Sequence, residues 1–330
     1  MATYKGIQGY SVQSLATDPT GSESVGQLWY NSTSGTYKIS TEGAGAWSSG
    51  GALNTARDEG ANCGTQSAAL FAGGEPPNTA KTEIYDGSTW TEVADLIDGA
   101  RYGLEGFGSN TAAIAAGGHP PAAGGNFTES WNGTSWSEEN NMNTPRYNFG
   151  SAIGSPQAAG LVMGGITSPG HGNDTANTES WNGTTWTEED DMTTTRAAAT
   201  GTGISTAALA IGGVTNSVTV AVANVEVYDG TSWAETADIL TATYNMGTAG
   251  TTTLALAFGG LQPGKTAETE KFDGTSWTNV ASLAAARSGL GGVGSGAVGL
   301  GFGGTGPSAA SAATEEWNDP VYSIKTVTVS

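Results

Sequence analysis

Six glutamates recur at one position of a repeated segment, and each is a candidate general acid, general base or nucleophile. An acid–base pair needs two carboxyls whose surroundings differ, whereas these six share the same neighbours in sequence. Five repeats also carry an arginine, so we expect charge-assisted hydrogen bonds from arginine or backbone N–H groups to each carboxylate. We therefore predict a structural role. The fifth repeat tests this, because Thr243 replaces arginine there. The glutamates are Glu83, Glu129, Glu179, Glu226, Glu270 and Glu315.

Few other residues offer catalytic or metal-binding chemistry. His119 and His171 are the only histidines, and His171 lies near Asp174, so a metal site can be drawn from them. Their spacing matches no metal motif, and we expect neither a metal nor a cofactor. Cys63 is the only cysteine and has small neighbours, which predicts a buried strand position rather than a nucleophile.

A segment of 44 to 48 residues, copied six times, must position these side chains. Each copy has an apolar stretch ending in Gly-Gly, a variable loop, and a segment such as TESWNGTSW. Alternating residues before Asn-Gly or Asp-Gly predict a strand that enters a tight hairpin turn. The recurring tryptophan then opens the next strand, and we expect it to pack between repeats rather than to stack on sugars. This period fits a four-stranded propeller blade.

The order Gly-Gly, Glu, aromatic, Asp or Asn, Trp, Met or Leu, and Arg resembles the kelch repeat over residues 45–318. This resemblance implies an all-β fold, a six-bladed kelch-type β-propeller with one repeat in each blade. The fifth copy departs from the pattern by lacking the arginine.

The two ends of the repeat series are complementary. The last copy contains Glu315 and Trp317 but no following tryptophan strand, whereas Trp47 has no glutamate strand before it. We predict that the strand near Trp47 completes the sixth blade and closes the ring, which removes exposed sheet edges. The alternative is that residues 321–330 fill that position. The sequence then divides into an N-terminal segment, 1–44, a propeller, 45–320, and a C-terminal strand, 321–330.

The N-terminal segment contains GQLWYNSTSGTYKIS at 26–40, which predicts two short strands around a turn at 31–35. We expect the C-terminal strand to pair with this hairpin, and Trp29 to be the least constrained of the ten tryptophans.

The hairpin resembles a short module found near the ends of tailed-phage fibre and other virion proteins. Joined to TESWNGTSW-type repeats, it resembles structural proteins of marine tailed phages. The resemblance implies a virion protein, present in multiple copies, that attaches to other virion proteins through its N-terminal segment.

Charge and hydropathy exclude some partners. The formal net charge of −20 repels phosphate backbones, so we expect no nucleic-acid partner. The longest apolar runs fall short of 18 residues, so we expect no membrane insertion. The N-terminus lacks the basic and apolar regions of a secretory signal.

The loops between Gly-Gly and the glutamate strand differ in length and sequence, whereas the turns predicted on the opposite face are nearly identical. Ligand contacts usually lie on variable loops held by a rigid scaffold. We therefore predict that these loops bind a host cell-surface ligand. The alternative is that they vary because nothing constrains them. The predicted ligand-binding residues are Pro76, Pro77, His119, Pro120, Phe127, His171, Asn173, Asp174, Asn216 and Gln262.

Three functions remain in competition. The first is a non-enzymatic virion structural protein that presents its loops to the host. The second is a decoration or stabilising subunit of the capsid or tail, without a host ligand. The third is an enzyme that acts on host glycan. The third is disfavoured, because enzymes gather chemically distinct residues at one place, and here the polar residues repeat instead.

Overall fold

The structure is a computed structural model that describes residues 12–19, 26–42, 45–119, 125–167, 173–215, 220–319 and 322–327. These residues form strands, turns and loops, and none of them is in a helix. Within them, therefore, no helix could cross a membrane. The chain divides into two compact units, Met1–Gly45 with Asp319–Ser330, and Ala46–Asn318.

The smaller unit is a four-stranded sheet with the order Gln13–Leu15, Leu28–Asn31, Thr36–Glu42, Tyr322–Thr326. The predicted hairpin is confirmed, because Leu28–Asn31 and Thr36–Glu42 pair antiparallel. The pairing of the C-terminal strand with this hairpin is also confirmed, so that strand belongs to the smaller unit. Trp29 is not loosely held. It is buried, and its indole N–H donates to Asp18 Oδ1 over 2.9 Å.

The larger unit contains six four-stranded antiparallel sheets within the described residues. We number the strands of each sheet first to fourth. In repeat order the sheets are Ala61–Thr65, Ala68–Ala72, Thr82–Tyr85, Trp90–Val93; Glu105–Ser109, Ala112–Ala116, Thr128–Trp131, Trp136–Glu138; Gly150–Ser151, Gly160–Met163, Thr178–Trp181, Trp186–Glu189; Thr200–Ile204, Ala207–Ile211, Val225–Tyr228, Trp233–Glu235; Gly247–Gly250, Ala255–Phe258, Thr269–Phe272, Trp277–Val280; and Gly291–Gly294, Val298–Phe302, Thr314–Asn318, Ala46–Ser49. A two-stranded sheet, Val214–Thr215 with Val220–Ala221, lies in the fourth variable loop.

The fourth strand of the sixth sheet comes from the beginning of this unit. Ala46–Ser49 pairs antiparallel with Thr314–Asn318, and Trp47 lies opposite Trp317. Their rings are 5.6 Å apart between centroids. The alternative partner, Tyr322–Thr326, pairs within the smaller unit instead.

The hairpins predicted at Asn-Gly and Asp-Gly are confirmed, and local chemistry explains them. In the second repeat Asn132 Oδ1 accepts the backbone N–H groups of Thr134 and Ser135, each over 2.9 Å. Gly133 has a φ of 91°, a conformation that side chains with a Cβ rarely adopt. The chain therefore reverses there and places Trp136 opposite Trp131.

The Gly-Gly pairs join neighbouring repeats. In each pair the N–H of the second glycine donates to the carbonyl of the next repeat's arginine, or of Thr243 in the fifth repeat. A Cβ on Gly164 would lie only 2.6 Å from the Arg196 oxygen, so no larger residue fits. The last bond of this series runs from Gly304 to Arg57, from the sixth repeat to the first.

The repeated tryptophans also join neighbouring repeats, which confirms their predicted packing role. Five indole N–H groups donate to a threonine hydroxyl of the preceding repeat over 2.9–3.0 Å. Trp277 is the exception. Val225 occupies the threonine position there, and the indole donates to the Ala237 carbonyl instead. Trp90 of the first repeat donates to Thr314 of the sixth.

Candidate functional site

The repeated glutamates form part of the scaffold, as predicted. Glu179 pairs with Arg146 over 2.7 Å, and both side chains are fully buried. The same carboxylate accepts the backbone N–H groups of Asn143 and Thr144 over 2.8 and 3.1 Å. Ion pairs at equivalent positions hold Glu83, Glu129, Glu226 and Glu315. Enclosed in this way, these carboxylates are not available to a substrate.

The fifth repeat shows the expected gap. Glu270 keeps two backbone donors, Leu240 and Thr241, but no ion pair to it occurs among the described residues. Burial raises the pKa of its carboxyl. Gln262 reaches inward and donates to the Thr243 hydroxyl over 3.0 Å. A cavity of about 10 Å³ remains beside them. The amide of Gln262, predicted to contact a ligand, is thus engaged in this interior group.

A ring of backbone hydrogen bonds surrounds the centre of the six sheets. Its members lie two positions after the arginine of each repeat, or after Thr243. The N–H of each member donates to the carbonyl of the preceding one over 2.7–3.1 Å, and Glu59 of the first repeat donates to Gly289 of the sixth. All six have φ between 49° and 66°, although four carry a side chain. The members are Glu59, Gly103, Asn148, Ala198, Asn245 and Gly289.

The residues one position earlier connect this ring to the variable loops. Each forms an isolated β-bridge with a residue that follows a Gly-Gly pair. These bridges place the ring and the variable loops at the same end of the sheets. We call this end the mouth. The bridged pairs are Asp58 with Glu75, Tyr102 with His119, Tyr147 with Ile166, Ala197 with Val214, Tyr244 with Leu261, and Ser288 with Thr305.

One side of the mouth is aromatic and apolar. The His119 ring lies between two tyrosines, 5.4 Å from the centroid of Tyr102 and 5.1 Å from that of Tyr147. Nδ1 of His119 is buried and has no hydrogen-bond partner among the described residues. Tyr147 and Tyr244 pack against a buried cluster around Val214. This side therefore offers ring surfaces and one unsatisfied polar atom.

The other side of the mouth is acidic. Glu59 accepts a hydrogen bond from the Asn245 amide over 3.0 Å. Burial, with smaller contributions from the charges of Asp58 and Glu75, raises the pKa of Glu59 to about 8. Asp58 accepts the Thr305 hydroxyl at one carboxyl oxygen, and its other oxygen is buried without a partner in the described part of the chain. This side thus gathers carboxyls that repel one another.

Beneath the mouth lies a cavity of about 60 Å³, which all six repeats line. Glu105 from the second sheet lines it and accepts the Ser151 hydroxyl over 2.8 Å. Burial raises the pKa of Glu105 to about 8. Glu59, Asn62 and Asn148 also line the cavity, and no lysine or arginine of the described residues does. Two carboxyls thus share an interior space without a cation.

The opposite end of the sheets differs. A cavity of about 500 Å³ opens there, lined by the turns between first and second strands of all six repeats. Its walls are mostly glycine, small polar residues and the apolar side chains of Ile204 and Val298. None of its described lining residues is titratable, so it offers no acid–base chemistry.

The predicted ligand-binding residues are scattered over the variable loops. His119 lies at the mouth, whereas Pro76, Pro77 and Asn173 are exposed on loops. Phe127 is half-buried, with its ring 5.9 Å from the Arg101 guanidinium, and Asp174 bridges to Ile166. Three predicted residues, Pro120, His171 and Asn216, lie outside the described residues.

Metal and thiol chemistry find no support. In the described part of the chain no group of three or more His, Cys, Asp or Glu side chains could hold a metal ion. Cys63 is buried on the first strand of the first sheet, as predicted, and burial raises the pKa of its thiol to about 12.

Sequence reasoning missed most of the mouth. Asp58, Glu59, Tyr102, Tyr147 and Tyr244 all lie one or two positions after the arginine, or after Thr243. A signal was present, because these are the positions at which an otherwise regular repeat changes chemistry. From the sequence, polar residues were expected to recur in every repeat and not to cluster, and this expectation is wrong for the mouth. The fold brings chemically distinct side chains together at the mouth.

Comparisons with known proteins bear on the fold alone. No protein-family model matches the chain, and neither does any curated protein sequence. Among solved structures, that of YjhT, a propeller-like protein, aligns with a TM-score of 0.65 at 11% identity. The alignment covers 85% of this chain and 100% of that one. The chain therefore has an all-β fold of repeated four-stranded sheets that is propeller-like.

Proposed function

We propose that this chain is a structural protein of a tailed-phage virion, a six-bladed kelch-type propeller that presents its mouth and variable loops to a host-surface ligand. It attaches to other virion proteins through its N-terminal segment and occurs in several copies per virion. The kelch-like and phage-like sequence patterns support this proposal, and it has no catalytic role.

Three bonding series favour a closed ring of six blades. The Gly-Gly series runs from Gly304 to Arg57, the indole series from Trp90 to Thr314, and the central series from Glu59 to Gly289. Each of these bonds links the sixth repeat to the first with the geometry used between the other repeats. The strand at Trp47 supplies the fourth strand of the sixth sheet. A closed ring would leave fewer sheet edges exposed.

The observation that carries the binding function is the contrast between the two ends of the sheets. The hairpin turns at one end are nearly identical, whereas the mouth and its loops differ in every repeat. A rigid scaffold with one variable end is the usual arrangement for ligand recognition.

Cell binding tests the proposal. Labelled protein is expected to bind host cells, and replacing loops 166–177 and 214–224 by glycine–serine linkers of equal length should abolish binding. A matched control changes turn residues 134–135 and 184–185 at the opposite end, and should bind as the parent does. Equal binding by the loop variant and the parent would overturn the host-ligand function.

A density map of the virion tests the structural role. The propeller is expected in several copies, joined to neighbouring subunits through the N-terminal segment, with the mouth facing outward. A mouth covered by another virion subunit, together with absent cell binding, would instead support a decoration or stabilising subunit. Absence of the chain from purified virions would overturn both.

A second candidate function is hydrolysis of a host glycan, and the mouth provides one observation for it. A carboxyl with a pKa near 8, such as that of Glu59, keeps its proton at neutral pH and is suited to general acid catalysis. Release of reducing sugar from host polysaccharide, lost in Glu59→Gln, would replace the binding role by an enzymatic one. No release, with cell binding retained, is the result that the structural role predicts.

A further inference from the structure

The cavity below the mouth is lined by two carboxyls without a counterion among the described residues. Glu59 and Glu105 both line the cavity of about 60 Å³, and neither has an ion-pair partner among the described residues. In the same chain the buried glutamates of five repeats each have an arginine. Both cavity glutamates are half-buried, and no lysine or arginine of the described residues lines the cavity to offset their charge.

Further features at the entrance point to a ligand. Asp58 is only 9% exposed, and one of its carboxyl oxygens has no hydrogen-bond partner. Nδ1 of His119 is buried and unsatisfied in the same way, and it lies against the ring of Tyr102. A bound group with hydrogen-bonding atoms would give these two atoms partners. Burial raises the pKa of the Tyr102 phenol, and the nearby charges of Glu75 and Glu59 raise it further.

We propose that the mouth receives one lysine side chain of a protein partner, with the ammonium group in the cavity between Glu59 and Glu105. The methylene groups of that lysine pass the ring of Tyr102, and Glu75 and Asp58 attract the charge at the entrance. The proposal rests on the proposed function only in placing the partner at the variable-loop end.

Size and charge select lysine over other cations. A space of about 60 Å³ holds roughly two water-sized groups, enough for an ammonium and a methylene but not for a sugar ring. Lysine carries a compact charge on a flexible stem, whereas the guanidinium of arginine is broad and planar. The net charge of −20 favours approach of a basic partner.

Calorimetry with small probes tests the site. Nα-acetyl-lysine methylamide is expected to bind one site with a Kd on the order of 1 mM, more weakly as salt increases. The same compound acetylated at Nε is uncharged and should not bind. The arginine analogue and glucosamine test the competing sources of positive charge. Tighter binding of either one than of the lysine probe would overturn the assignment to lysine.

Variants locate the site. Glu105→Gln and Glu59→Gln are each expected to weaken the lysine probe by about tenfold. Glu138→Gln, on an exposed strand, removes the same charge and should leave the Kd unchanged. Thermal melting of each variant checks that it is folded. Equal Kd values for all three variants would show that lysine binds elsewhere and overturn the proposal.

Proton release gives an independent readout. An ammonium favours the ionised form of Glu59 and Glu105, so binding below about pH 8 should release protons and tighten as pH rises. Asp58, Glu75 and Tyr102 also lie in this region, as do His119 at the mouth and Lys265, whose charge partly offsets the burial that raises the pKa of Asp58. Heat that does not depend on the ionisation enthalpy of the buffer would contradict the site.

The two proposals fail differently. Lysine binding by purified protein, together with no binding to host cells, would overturn the proposed function and leave the lysine site standing. Cell binding that loop exchange abolishes, but that Glu105→Gln and free lysine probe leave unchanged, would overturn the lysine site alone.

Discussion

A buried glutamate of the scaffold and a half-buried glutamate of the central cavity have opposite surroundings. On the third strand of the third sheet, Glu179 meets an arginine and two backbone donors. In the central cavity, Glu105 meets one serine hydroxyl and no described cation. The pKa of Glu105 rises to about 8, because burial disfavours its charge and the Ser151 hydrogen bond offsets only part of that effect.

The contrast separates scaffold from site. A glutamate that recurs together with its arginine holds a loop to a sheet, and its carboxylate oxygens already have hydrogen-bond partners. A glutamate that does not recur and has no arginine partner can still bind a proton or a cation. The fifth repeat lies between these cases, since Glu270 keeps its backbone donors and lacks only the arginine.

The largest expected effect comes from turning a scaffold pair into an unpaired carboxylate. Arg146→Met removes the bonds to Glu179 and to the Gly164 and Asn177 carbonyls. We expect a loss of about 3–5 kcal/mol in the free energy of unfolding, because a buried charge loses its partner. Urea denaturation measures it.

The double variant Arg146→Met, Glu179→Gln is the control for this change. It removes both charges and should recover part of the loss, about 1–2 kcal/mol. If Arg146→Met alone lowers the free energy of unfolding by less than about 1 kcal/mol, the scaffold carboxylate does not depend on its arginine, and the contrast with the cavity carboxyls fails.

The second expected effect is a fall in stability as pH rises from about 4.3 to about 8. The pKa of Glu105 is near 4.3 in an unfolded chain and about 8 in the folded one, so only the folded state holds its proton between those values. Stability therefore falls as pH rises through this window and levels off above about pH 8. Glu59 adds a second contribution of the same sign.

Glu105→Gln keeps an acceptor for Ser151 and removes the titration. It should match the parent near pH 5 and be more stable near pH 9, as measured by thermal melting across that range. Parallel pH profiles for variant and parent would mean that Glu105 is ionised in the folded protein, like its counterparts in the scaffold.

The smallest expected effect is a gain. Thr243→Arg would give Glu270 the partner that the other repeats have, provided that the Gln262 side chain moves aside. We expect about 1 kcal/mol of added stability in urea denaturation, in line with hydrogen bonds to charged groups. Thr243→Met fills the same space without a charge. An equal gain in stability from methionine would show that the effect comes from packing and not from the restored ion pair with Glu270.

Much of the scaffold could be predicted because each repeat contains the residues that determine its local structure. Asn132-Gly133 predicts a hairpin, since the asparagine side chain caps the turn and glycine accepts its dihedral angle. Five equivalent copies make the signal unambiguous. The missing arginine at Thr243 was visible for the same reason, because one departure stands out against five agreements.

The mouth could not be predicted from its parts. Glu59 and Asn245 are 186 residues apart in the sequence, yet they share a hydrogen bond. Their meeting depends on how six sheets are arranged around one centre. The variable loops indicated Pro76 and Gln262 as binding residues. The tyrosines of the mouth follow the arginine, or Thr243 in the fifth repeat, and were therefore attributed to the repeat.

The sequence by itself therefore determined the strands, the hairpins, the inter-repeat tryptophans and the Glu–Arg pairs, because these depend on neighbours within one repeat or the next. Only the tertiary structure decided which residues face the centre and that two carboxyls lie there without a cation. Burial and charge at that centre are properties of the assembled sheets, to which every repeat contributes a different residue.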